Sequence, residues 1–459
     1  MLARVKEVLG NFSGQYAEVR VEHEDRTQVR YEKDNLENLE TSSEFGGFVR
    51  VLHHGGWGIA TFNDFDKLAK QLETARHIAD TVSRSREEPV RLAPVEVFNK
   101  RIEVELEQDF REVELDEKRK LMAHYNELML SSDDRIETTT TRYTDSLREI
   151  IYANTEGTAI EQEIPDVTLA LVAVARGEGR NIQRAQETFG EAAGFEVARD
   201  KDSTAEEVAS RSLELLEAKP VEGGKYPVIL DPKLAGVFIH EAFGHLCEAD
   251  HIYQNDRLRE IMKLGREFGP RDLNVVDDGY IPGRRGNVPY DDEGVPRKKT
   301  YLIKEGKLNS FLHSRQTAAK MNSEPTGNAR AVSYRHQPIV RMTNTYIEQG
   351  PVSFEEMLSG IDRGIYARDA FGGQTQLEQF TFSAAYAYEI RNGEVGQMLR
   401  DVVLTGNVFK TLERIESIGN DLQIIGTAGG CGKEGQQPLP VTDGAPHLML
   451  EQVTIGGQQ

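Results

Sequence analysis

The chain has 459 residues, 29% of them charged and 38% hydrophobic, and a net charge of −21. This is a globular profile long enough for two ordinary domains. The charge repels nucleic acid and anionic lipid, and no run approaches the ~18 apolar residues of a membrane span, so neither is expected as a partner. Two cysteines, Cys247 and Cys431, in a chain of this length point to a reducing compartment and a cytoplasmic location.

The opening MLARVKEVLGNFSG spaces apolar residues as an amphipathic helix and lacks the continuous apolar core of a signal peptide. YAEVRVE, TQVRYEK and GGFVRVL alternate like strands, and GGWG turns into another. FDKLAKQLETARHIADTV and the charged stretch near EKRKLMAHYNELMLSS read as helices. A second strand group follows at RIETTTTRYTDSLREIIYANTEGTAIEQE and VTLALVAVARGEG, and TAEEVASRSLELLEAK closes it as a helix. Strands-then-helix thus occurs twice, the pattern an internal duplication leaves. KPVEGGKYP carries Pro and Gly without periodicity and marks a domain boundary. The expected fold class is α+β. Residues 1–220 form a mixed α/β domain and residues 221–459 a mainly β, barrel-like one.

The second domain opens with the strand YPVILD and a helix near 234–247. After residue 300 it is mostly short strands, with hairpin signals at KEGK and RNGE and a final strand LMLEQVTIGG. The helix carries H-E-x-x-x-H as His240, Glu241 and His245. Two imidazoles beside a carboxylate suit a hydrolytic metal site, the rings as ligands and the carboxylate as base. The usual zinc-protease spacing is H-E-x-x-H. Five residues on a regular helix turn through about 500°, which points the second ring roughly 140° from the first. A shared metal therefore requires a π-type bulge or a break, and Gly244 could permit either. For a third ligand, Cys431 lies among Gly429, Gly430 and Gly432, which expose a thiolate to something close by. Cys247 also qualifies by spacing, but reads better as a small apolar residue packed on the helix.

These stretches resemble the TldD/PmbA family of metalloproteases, its TldD branch in particular. The matching segments are HEAFGHLCEAD, YDDEGVPRKKTYLIKEGKL, PTGNARAVSYRHQPIVRMTNTYIEQG, GIYARDAFGGQT and GTAGGCGKEGQQPLPVTDGAPHLMLEQVTIGG, and the N-terminal half fits too. The resemblance implies that His240, His245 and Cys431 hold the metal and that Glu241 is the general base. The metal would be one zinc per active subunit, with iron or another divalent ion left open. It implies small or unfolded peptides as substrates. It also implies a dimer, with itself or with a PmbA-like subunit that lacks the metal set.

Other residues carry weaker signals. Gly372 and Gly373 in ARDAFGGQT could let a peptide backbone approach the metal, or form a tight turn. Tyr334 and His336 in SYRHQP could donate to an oxyanion, or sit in a surface turn before Pro338. DDEG at 291–294 reads as a solvated turn. The rival to a peptidase is a peptide-binding, modulatory subunit with a structural metal or none. Glu241 speaks against it, because a structural site needs no base. Cys247 as a fourth ligand would revive it.

Overall fold

Long strands of period two build the first half. The computed structural model describes residues 1–86, 88–376 and 378–456. The helix α1 (Leu2–Gly10) leads into a meander of β1 (Tyr16–Glu32), β2 (Asn35–His53) and β3 (Gly56–Phe62), followed by α2 (Leu68–Ser83). After the short β4 (Asn99–Ile102) the order recurs: α3 (Leu115–Leu130), then β5 (Ile136–Asn154), β6 (Ala159–Arg176) and β7 (Ile182–Glu191), then α4 (Asp202–Glu217). The twofold pattern read from the sequence is thus a repeated helix, three antiparallel strands and helix. β1 and β5 pair antiparallel from Glu18↔Asn154 to Glu32↔Thr140 and fuse both sets into one seven-stranded sheet.

Alternation assigns the two faces of that sheet different work. Odd positions such as Val19, Val21, Val29, Tyr143, Leu169 and Leu171 are apolar and lie under the four helices. Gly58 lets α2 come close, since a Cβ there would stand 1.8 Å from the Ala75 carbonyl oxygen. Even positions turn toward the C-terminal half and carry charge. Arg50 Nε donates to Glu18 at 2.7 Å and its Nη2 to Glu293 at 2.7 Å, all three side chains buried. Arg20 pairs with Asp292 at 3.1 Å. The DDEG segment is therefore no solvated turn. Asp291 and Glu293 are buried at the junction of the two halves, where the buried Arg50 leaves a carboxylate its partner.

In the second half β8 (Lys219–Pro220) is an edge strand, and β9 (Gly224–Leu230) starts a barrel. β9 pairs with Arg363–Gln376, which pairs with Gln379–Arg391, then Val403–Asn407, then Leu448–Gly456, which returns to β9. The expected barrel-like domain is thus a closed five-stranded barrel. The RNGE hairpin joins Gln379–Arg391 to Glu394–Arg400 with Asn392 and Gly393 at φ 50° and 79°, the left-handed pair a tight hairpin needs. A separate six-stranded sheet contains Val275–Asp278, Asn344–Ile347 and Thr442–Ala445. Between barrel and sheet runs α5 (Pro232–Ile239). It starts where Asp231 accepts from Leu234 N at 2.9 Å and Pro232 takes the first turn. Phe238 meets Phe380 and Phe382 edge-on. Among the described residues no helix is long and apolar enough to cross a membrane.

Candidate metal centre

α5 stops being regular at the motif. Residues His240–Gly244 form a π-helical turn and His245–Cys247 a 3-10 turn. The wider turn takes up the fifth residue of the spacing, so both rings reach the same side with centroids 5.1 Å apart at 86°. Gly244 does not supply this by unusual backbone, for its φ and ψ are −54° and −51°. It supplies room: a Cβ there would stand 2.1 Å from Met342 Sδ.

The third donor arrives from the far end of the chain. Cys431 begins a hairpin of Cys431–Lys433 and Gln436–Leu439, and its Sγ lies 3.4 Å from His245 Nε2. One donor atom each from His240, His245 and Cys431 falls within 4.8 Å of the others. Cys247 is fully buried in the apolar core and stands outside this trio.

Two carboxylates behind the histidines orient them. His240 Nδ1 bonds Asp443 Oδ1 at 2.7 Å, and His245 Nδ1 bonds Glu248 Oε2 at 3.0 Å. Each bond turns Nδ1 toward its carboxylate, so that Nε2 is the nitrogen left to face a metal. Lys433, from the cysteine's own hairpin, reaches Glu248 at 3.1 Å and Asp250 at 2.7 Å. Burial would raise the Glu248 carboxyl, but His245 and Lys433 outweigh it and bring it to about 2. Burial likewise opposes a Cys431 thiolate, yet His240 and His245 bring that thiol down to about 5. Cys247 shows the reverse, pushed well up by burial. Two oriented imidazole nitrogens and a low-pKa sulfur are a donor set that fits a borderline-soft divalent metal.

Glu241 is held differently. Its Oε2 lies 3.9 Å from His245 Nε2, and burial raises its carboxyl against the pull of His240 and His245. With His240 and Cys431 it lines a cleft of about 780 Å³. Gly372 and Gly373 line the same cleft. Gly372 has φ 147° with open space where a Cβ would stand, whereas a Cβ on Gly373 would run into Phe382 at 1.9 Å. Tyr334 and His336 are placed elsewhere and are not among the lining residues. Tyr334 is buried over Gly46 of β2, and Arg20 binds the carbonyls of Ser333 and His336. Their loop seals the joint between the halves because a buried arginine there needs acceptors.

The chain has relatives along its whole length. The PmbA/TldA metallopeptidase C-terminal domain model covers residues 223–457, the central domain model 108–216 and the domain 1 model 17–86. A metalloprotease of Synechocystis sp. is 42% identical over 98% of this chain and 97% of its own. This chain belongs to the TldD/PmbA family.

The family's metallopeptidase character extends to other relatives. A metalloprotease of Methanocaldococcus jannaschii is 37% identical over 94% of this chain and 95% of its own. A zinc metalloprotease TldD homolog of Saccharolobus solfataricus is 30% identical over 96% of both. The chain is accordingly a metallopeptidase, a hydrolase of peptide bonds. A TldE crystal structure from Thermococcus kodakarensis shares the fold, with TM-score 0.78, 18% identity and 99% coverage of each chain.

Sequence reasoning missed Asp443, Lys433 and Glu248. Glu248 had a readable signal, three residues after His245 on the same turn. Asp443 and Lys433 had none, since Asp443 meets His240, and Lys433 meets Glu248, only through tertiary contact.

Proposed function

We propose that the chain is a zinc-dependent peptidase that cleaves small or unfolded peptides, with Glu241 as its general base. The observation that carries this is Glu241 itself: a carboxylate in the cleft wall, beside the donor trio but not one of it, with its proton affinity raised by burial. His240, His245 and Cys431 would hold the zinc, which would supply a Lewis acid for the scissile carbonyl and lower the pKa of water toward neutrality. Glu241 takes the water's proton and passes it to the leaving amine. Asp443 and Glu248 keep the imidazoles oriented throughout. Gly372 leaves room for a peptide main chain in the cleft wall. An extended peptide laid there bonds through its backbone, which suits unfolded substrates of mixed sequence. We further propose a cytoplasmic enzyme that pairs with itself or with a PmbA-like subunit. Two unpaired cysteines support the reducing location.

The test is zinc content together with hydrolysis of an unstructured peptide, with and without a chelator. Zinc near one per chain and hydrolysis that a chelator abolishes and zinc restores are expected. Full hydrolysis by metal-free protein would overturn the reading.

A further inference from the structure

The helix-free face of the N-terminal sheet roofs the catalytic cleft through Arg30 of β1, Thr140 and Arg142 of β5, Val172 of β6, and Arg184 of β7. Arg30 and Arg142 are direct partners across the β1–β5 ladder. Like charges opposite each other on one face, with Cβ atoms about 4.5–5.5 Å apart, destabilise a sheet. Both are exposed. Arg30 is shared with half-buried Glu32 at 2.6 Å, and Arg142 has no carboxylate partner among the described residues. Among the other charges lining the cleft, Arg184 also lacks a carboxylate partner among the described residues and donates to Gln186 at 2.7 Å, Glu241 stands beside the donor trio, and the rest are committed. Lys233 is held by Glu187 at 2.6 Å and Asp369 at 3.1 Å, and Asp443 by His240. The uncommitted charge on the sheet wall is therefore positive, in a chain whose net charge is −21.

We infer that Arg30 and Arg142 bind a carboxylate of the peptide whose scissile bond lies at the metal centre, so that carboxylate-bearing peptides are the preferred substrates. This rests on the peptidase reading above. A guanidinium presents a planar fork that fits a carboxylate with two parallel bonds. A carboxylate between the two arginines turns their mutual repulsion into attraction. That carboxylate belongs either to the peptide's C-terminus or to an Asp or Glu side chain, and the same chemistry serves both.

The experiment compares one unstructured peptide as free acid, as C-terminal amide, and with its Asp and Glu residues changed to Asn and Gln. KM and kcat are measured with the zinc-loaded full chain, and Kd with its Glu241→Gln variant. Loss of the bound carboxylate should raise KM and Kd by at least about tenfold, with a smaller change in kcat. Sensitivity to amidation identifies the C-terminus, and sensitivity to side-chain neutralisation identifies Asp or Glu. In the Arg30→Gln/Arg142→Gln double variant the preference should vanish, and its thermal midpoint should hold or rise as the like-charge pair is removed. Equal KM and Kd for all three peptides, or a preference that survives in the folded double variant, would overturn the inference. If nothing is cleaved but the carboxylate preference persists in Kd, the peptidase reading fails and the carboxylate site stands.

Discussion

The helix arm and the hairpin arm of the candidate metal centre are held by different physics. Phe238, Ile239, Ala242, Phe243, Leu246 and Cys247 sink the helix arm into the apolar core, with Phe243 edge-on to Phe268 at 5.2 Å. The loop and hairpin around Cys431 are instead gripped by cations. Arg341 donates to the carbonyls of Cys431 at 2.7 Å and Gln436 at 3.2 Å, and Arg330 to that of Pro440 at 2.7 Å. Arg285 donates to the carbonyls of Thr427 at 2.7 Å and Gly429. Apolar packing is non-directional and supplies stability. Donors aimed at main-chain carbonyls supply position. A glycine-flanked loop with little apolar surface has to be placed the second way.

The largest expected effect lies on the helix arm and is chemical. Glu241→Gln should keep its zinc while peptide hydrolysis falls by roughly 10²–10⁴. Near-normal turnover in the metal-loaded variant would remove Glu241 from the reaction.

Next, the two cysteines separate the arms. Cys431→Ala should lose most bound zinc, whereas Cys247→Ala should keep it and lose about 1 kcal/mol of packing. In chelator-treated protein at pH 7, Cys431 should alkylate first, because His240 and His245 bring its thiol down to about 5 and it lines the cleft, whereas Cys247 lies in the apolar core and is pushed up. Zinc per chain and peptide mapping of the alkylated site read both outcomes, and the reverse pattern would mean a differently built site.

The division of labour is broken or sharpened by one substitution in each arm. Phe243→Ala should cost about 3–5 kcal/mol of stability, with zinc affinity of the folded protein little changed. Arg341→Met should weaken zinc binding by roughly 10- to 100-fold, because the Cys431 carbonyl loses its anchor. If Phe243→Ala alone affected zinc affinity, packing would be positioning the metal after all.

The smallest effect is a pH dependence on the helix side. Leu312 N donates to the Cys247 carbonyl at 2.8 Å, and Ala249 N to the Leu312 carbonyl at 3.1 Å, so the segment bearing His313 docks on the helix end. Burial depresses the His313 imidazole from 6.5 to about 4, with Lys298 adding to it. A folded-state value below the ordinary one means that the neutral ring's contribution is complete above pH 6.5 and is lost as pH falls toward 4. Denaturant midpoints should decline over that window, and less steeply in His313→Gln. An unchanged slope would show that the ring is free to protonate in the folded state.

Much of this was legible because it is local. Period-two alternation in YAEVRVE and VTLALVAVAR specifies strands with one apolar face, and RNGE specifies its hairpin, because neighbours a few residues apart decide both. Five-residue spacing between His240 and His245 demanded a wider turn by geometry alone, and the chain forms one. What the sequence could not state was which distant groups meet. DDEG read as solvent-exposed because nothing nearby in the chain reveals Arg50 of β2, and Tyr334 drew attention by residue type while its place over Gly46 is set by the joint between the halves. Gly244 looked like a backbone hinge, yet it is a glycine because Met342 needs the space. Asp443, Lys433 and Arg341 become supports of the site only when sheet, hairpin and helix converge, since an ion pair or hydrogen bond depends on separation in space and not along the chain.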